Sequence, residues 1–183
     1  MTTLLIIVAI VAIAVFWVIS VQRKLVAKDE LCSNAMSQIG VQQQSRWDAV
    51  TALVDLVKSY NEHEYNTLRD VIAQRKNITG ASSPADADVQ ENAISGALRQ
   101  INLVAEQYPA LKAEVNYGKT MDSVNLYENQ VRMSRMVYND AVTKFNSCAR
   151  QFPDSIVAGM LNFPPKQYLQ NVESKSEMPS TKI

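Results

Sequence analysis

Residues 32–60 read CSNAMSQIGVQQQSRWDAVTALVDLVKSY, and the spacing of their apolar side chains decides the fold. From Cys32 a stripe steps by three and four through Met36, Ile39, Gln43, Arg46, Val50, Leu53, Val57 and Tyr60. It continues as Glu64, Leu68, Val71, Arg75 and Ile78. Such a rhythm keeps one face of a helix turned the same way over many turns, the pattern of a long bundle helix. The pattern stops at Thr79-Gly80-Ala81-Ser82-Ser83-Pro84, a loop by composition, with Gly80 in place as a residue just past a helix end. Gly40, which costs up to ~1 kcal/mol relative to alanine inside a helix, marks an expected bend.

Downstream, a second helix is predicted over about 85–108, burying Ile94, Ala97, Leu98, Ile101, Val104 and Tyr108. Pro109 interrupts it, because the ring removes a donor and disfavours helix in the residue before. A third helix is predicted over about 111–152 on the stripe Tyr117, Met121, Val124, Glu128, Val131, Arg135, Tyr138, Val142, Phe145, Ala149 and Phe152, with Pro153 ending it. Residues 154–183 carry a short apolar patch broken by Pro164-Pro165 and then a polar tail. At ~1.5 Å per residue the first of these helices would extend ~80 Å, more than the second covers, so it breaks or projects toward a partner.

Upstream, Leu4 to Val21 reads LLIIVAIVAIAVFWVISV, with Ser20 its only polar side chain. At ~1.5 Å per residue this spans ~27 Å, close to the hydrocarbon core of a bilayer. Leu4, Ile7 and Ile10 are expected to face lipid, and Phe16 and Trp17 to lie at the interfacial aromatic belt. A cleaved leader fits poorly: no basic segment precedes the run, the run is long, and no small-x-small site follows. Arg23, Lys24 and Lys28 follow it, whereas Met1-Thr2-Thr3 is uncharged. The positive-inside rule therefore predicts an outside N-terminus and a cytoplasmic C-terminal region in the cell membrane. The expected division is an anchor over 1–26, a helical bundle over 27–153 and a C-terminal extension over 154–183. The predicted class is all-α: a transmembrane helix, then a long antiparallel up-and-down bundle of three long helices, or four if the first is broken.

Eighteen basic and eighteen acidic side chains give zero net charge. No basic run interleaves with aromatics, so nucleic acid is not an expected partner. Two cysteines, Cys32 and Cys148, make no disulfide framework, and packed free thiols are expected. His63-Glu64 begins like a zinc-protease motif, but Thr67 stands where its second histidine belongs, and His63 is the only histidine. No Glu-x-x-His pairs and no phosphate-cradling glycine loop occur, so no metal, cofactor or catalytic residue is assigned. The chain is not expected to be an enzyme.

Polar side chains nevertheless occupy apolar stripe positions: Gln43, Arg46, Glu64, Arg75, Glu128 and Arg135, with Asn139 and Asn146 close by. Buried unpaired charges are expensive, so these groups should pair with one another or face water. Glu64 with Arg75 or Arg135, and Glu128 with Arg46 or Arg75, are the expected partners. The expected role is a network that fixes helix register and partner choice; the alternative is a polar binding site inside the bundle.

Certain stretches resemble the LemA family of bacterial membrane proteins. They are Ser37-Gln38-Ile39, Val41-Gln42, Arg46-x-Asp48, Leu53-Val54-x-Leu56-Val57-Lys58-x-Tyr60, His63-Glu64 and Ala73-Gln74-Arg75. Further along come Tyr108-Pro109-x-Leu111-Lys112-Ala113, Glu128-Asn129, Arg132 to Arg135, Tyr138-Asn139, Phe145-Asn146 and Phe152-Pro153. The resemblance covers roughly residues 1–165. It implies a short outside N-terminus, one transmembrane helix and a cytoplasmic up-and-down bundle, and it implies no activity. The chain departs from the family's pattern at Gly40 (usually Asp), Trp47 (usually His or Tyr) and Thr51 (usually Pro), so its first helix is expected to run straighter.

Taken together, these features predict a membrane-anchored scaffold or adaptor that self-associates, with the lipid bilayer and further copies of itself as partners. The competing expectation is a tethered sensor in which Arg46, Arg75 and Arg135 grip an anionic ligand. A pore of parallel anchors would lack a polar stripe to line it.

Overall fold

The computed structural model describes residues 1–170; the polar tail beyond Gln170 lies outside the described residues. Among the described residues six helices follow in order: α1 (Thr2–Lys58), α2 (Glu62–Ile72), α3 (Pro84–Gln107), α4 (Pro109–Lys112), α5 (Val115–Arg150) and α6 (Asp154–Met160). The protein is all-α. No break separates the apolar run from the bundle, because α1 passes uninterrupted through residues 26 and 27 and through Gly40. It is solvent-exposed from Leu4 to Phe16, and it buries Val21, Leu25, Cys32, Met36, Ile39, Gln43, Arg46, Val50, Leu53 and Val57.

The helix predicted to reach Ile78 ends twenty residues earlier. Ser59-Tyr60-Asn61 breaks it, and the Asn61 side chain accepts hydrogen bonds from the backbone N–H groups of His63 (2.9 Å) and Glu64 (3.2 Å), capping α2. Asparagine is favoured there because it satisfies N–H groups that a helix start leaves without partners. His63-Glu64 is thus the first turn of a capped helix. The chain reverses at this corner, and α2 with the non-helical residues 73–83 returns alongside α1, where Arg75 Nε donates to Gln44 Oε1 (3.2 Å).

α3 starts with a capping box, Ser83 and Asp86 bonding reciprocally, with Pro84 in the first turn. It runs parallel to α1: Gln43 meets Ala87, and Asn61 meets Tyr108. α5 is antiparallel to α1, as Arg46 meets Glu128 and Lys24 meets Asp154. The result is the four-membered, up-and-down arrangement that a broken first helix predicts.

Residues 78–80 reach α1 by close backbone approach. Ser33 Oγ donates to the Gly80 carbonyl at 2.9 Å, and a Cβ at Gly40 would lie 1.9 Å from the Ile78 carbonyl oxygen. Gly40, Ser37 and Ser33 recur at three and four residues, so small side chains clear a track on α1 for this segment. Gly40 is therefore a packing requirement rather than a bend.

Two apolar cores result. One, around the lower half of α1, joins Leu25, Met36 and Ile39 to Val142, Phe145, Val157 and Leu169. The other joins Trp47, Val50, Leu53 and Val57 to Leu68, Ile94, Ile101, Leu111 and Val124. Residues 154–170, predicted as an extension, supply part of the first core.

Candidate functional site: a polar layer between two cores

Ile39 belongs to the first core and Trp47 to the second, and the α1 turn between them is polar. Arg46 is 2% exposed. Its Nη1 is bound to Glu91 and its Nη2 lies 2.9 Å from Glu128 Oε2. Gln43 Nε2 donates to the Ala87 carbonyl (2.9 Å) and to Glu91 Oε2 (3.4 Å). Trp47 Nε1 donates to Gln90 Oε1 (3.2 Å), which also accepts from the Lys76 backbone N–H (2.9 Å). Gln90 thereby ties α1 and α3 to the returning segment. One buried guanidinium faces two carboxylates, of which Glu128 is partly solvated.

One heptad nearer the C-terminal end of α5, Arg135 Nη2 lies 2.6 Å from Asp88 Oδ1 and 2.5 Å from the Gln170 carbonyl. Asn139 and Asn146 then grip residues 166–169 as a neighbouring strand would. Asn139 Nδ2 donates to the Leu169 carbonyl (3.3 Å) while its Oδ1 accepts from the Leu169 N–H (3.0 Å). Asn146 pairs in the same two-way fashion with Lys166 (2.9 and 2.8 Å). Seven helical residues rise ~10.5 Å, which three extended residues also span, so the two amides meet Leu169 and Lys166 in register. Asn139→Ala should free Leu169 and destabilise this latch by about 1–3 kcal/mol, since two backbone groups lose their partners. Hydrogen exchange should then rise at residues 166–170 and stay unchanged in α3; no change at 166–170 would mean that packing alone holds the segment.

Of the polar residues predicted to cluster, Gln43, Arg46 and Glu128 meet, and Arg135 and Asn139 lie along α5 beside the C-terminal segment. Glu64 and Arg75 do not join them. Arg75 pairs with Asp48 (2.8 Å) near the surface, and Glu64 has no ion pair among the described residues. The reversal at Asn61 takes both off the α1 seam. Glu91, Gln90 and Asp88 complete the layer; the one local signal for them is that Glu91 stands between Ala87 and Ile94 on the buried stripe of α3. Of the predicted anchor residues, Leu4, Ile7, Ile10 and Phe16 are exposed. Trp17 is partly buried and packs against the first core.

Nucleophilic chemistry finds little here. Cys32 and Cys148 are buried free thiols. Burial raises both pKa values, with Asp154 adding to the effect at Cys148, which disfavours the thiolate that would act as a nucleophile. Burial, with Cys32 beside it, pushes the Tyr138 hydroxyl up to about 12. Among the described residues no three His, Cys, Asp or Glu side chains converge as a metal site.

A sequence model of the LemA family matches residues 35–183. This chain belongs to the LemA family. The LemA match begins inside α1, just past Cys32, and takes in the polar layer and both asparagine clamps, but not the apolar run. A LemA protein of Metamycoplasma hominis is 28% identical, over 84% of this chain and 71% of that relative.

Proposed function

We propose that this LemA-family chain is a single-pass, membrane-anchored helical scaffold or adaptor that self-associates and has no catalytic activity. One observation carries the reading: a single uninterrupted helix is apolar and exposed at one end and forms the spine of a bundle at the other. An exposed run of this length and composition is stable in lipid and costly in water. Arg23, Lys24 and Lys28, just past it, favour a cytoplasmic bundle and an outside N-terminus in the cell membrane. The anchor is taken as residues 1–26 and the working domain as 27–153, with 154–183 as its extension; Val21 and Leu25 at the end of the anchor and Val157 and Leu169 of the extension pack into the domain's first core.

Self-association is supported by the outer face of α5. Leu126, Met133 and Val137, spaced by seven and four, are all more than half exposed. The polar layer suits a device that fixes register rather than a receptor, because Arg46, Arg75 and Arg135 already face carboxylates. An anionic ligand would have to displace these internal partners.

The mass of the full chain in detergent, measured over a concentration series, tests this reading. One defined multimer is expected, dissociating when Met133 and Val137 are both changed to Asp. A monomer at every concentration removes self-association and leaves a bound partner or an anionic ligand to be sought.

A further inference from the structure

The lower end of the bundle carries an apolar surface that the anchor reading does not use. Arg46 meets Glu128, and both Lys24 and Arg150 lie 22 residues away along their antiparallel helices, which at 1.5 Å per residue is ~33 Å for each. α5 therefore ends at the level of Lys24, and the 3.1 Å contact between Lys24 Nζ and Asp154 Oδ2 puts the start of α6 there too. Lys24 stands three residues, ~4.5 Å, past the last residue of the apolar run. Trp17 and Val18, within the run, pack against the core cluster that holds Val157 and Ala158. α6 thus sits beside the end of the apolar run.

The exposed side chains of α6 itself are apolar, and its flanks add Phe152 and Leu161 next to exposed Gln151 and Asn162. Phe152 is 78% exposed, Met160 77% and Ile156 52%, with Leu161 exposed beside them. Phe152 continues the buried stripe of α5 by spacing, yet α5 has already ended at Arg150 and the ring points away from the core. Large apolar groups left in water at a chain reversal are costly, at roughly 25 cal/mol per Å². At this level the nearest apolar medium is the bilayer that would hold α1. Arg23 and Lys24 are exposed at the same height, where lipid phosphates would lie.

We propose that α6 and its flanks form an interfacial foot, with Phe152, Ile156, Met160 and Leu161 dipping into the lipid surface beside the anchor. This rests on the reading of α1 as the anchor. The foot makes the bundle a two-point attachment: the span sets its depth, and α6 limits its tilt and its rotation about α1.

Nitroxide labels on Met160→Cys and Ile156→Cys, in the full chain in nanodiscs of phosphatidylcholine and phosphatidylglycerol, test the proposal. Collision with oxygen is compared with collision with a water-soluble nickel chelate. Ile10→Cys reports the anchor and Leu103→Cys the far end of the bundle; Cys32 and Cys148 are buried, and mock-labelled native chain gives the baseline. Labels at 156 and 160 should favour oxygen and lose most of the nickel collision seen at 103. If 156 and 160 match 103 while 10 is in lipid, the foot is overturned and the anchor stands. Shielding of 156 and 160 from both reagents would mean that protein, such as a second copy, covers the face, and the foot is again overturned. If 10 is itself aqueous, the anchor reading falls and the foot falls with it.

Discussion

Arg46→Ala should lower the stability of the bundle by about 3–5 kcal/mol, because it strands a buried carboxylate without its counter-charge. Glu91 is 7% exposed and has Arg46 as its charged partner, whereas Glu128 is partly solvated and also has Arg132 at 3.6 Å. The cost should therefore arise mainly at Glu91, and Glu128→Ala should cost far less. Urea unfolding of the full chain in mild detergent, followed by circular dichroism, measures both. The double variant Arg46→Met, Glu91→Leu should recover most of the loss, since replacing a whole buried pair by apolar groups is often neutral. Recovered stability with a changed or mixed multimer mass would show the layer acting on register. A loss below about 1 kcal/mol for Arg46→Ala, the range of solvent-exposed pairs, would mean that water reaches the layer.

Gly40→Ala comes next in expected size, and its sign is opposite to helix propensity. Alanine in mid-helix is worth up to ~1 kcal/mol over glycine. Here the added Cβ would lie 1.9 Å from the Ile78 carbonyl oxygen and 2.8 Å from its carbonyl carbon, both backbone atoms. Either α1 or residues 73–83 must shift, and overpacking of this kind costs about 1–3 kcal/mol or more. Gly96→Ala is the control, because nothing lies within 4 Å of its added Cβ; it should be neutral or stabilising. Hydrogen exchange should rise at residues 76–82 in the Gly40 variant. If Gly40→Ala stabilises the protein as Gly96→Ala does, residues 78–80 are not seated on α1 in solution.

The elements themselves were legible from residue spacing. The 3–4 stripes of α1 and α5, the stop at Pro109 and the apolar run each depend on residues a few positions apart, and helical periodicity is a local property of the chain. The break at Asn61 was present as a capping residue followed by an acidic first turn, but the stripe ran on through it and hid it. Gly40 invited a bend for the same reason: local preference describes glycine in a helix and carries no information about a carbonyl arriving from residue 78.

Sequence alone determined that the chain is helical, that one end is apolar enough to leave water, and that charged side chains stand on its buried seams. Only the tertiary structure decided which charges meet. Arg46 finds Glu91 and Glu128 because α3 runs parallel to α1 and α5 antiparallel, and Arg75 is carried off to Asp48 because α2 turns back. Asn139 and Asn146 bond the backbone of residues 166–169, atoms that every residue shares and no side-chain pattern marks. Periodicity records which face of a helix is buried, while the partner on that face depends on where the turns send the rest of the chain.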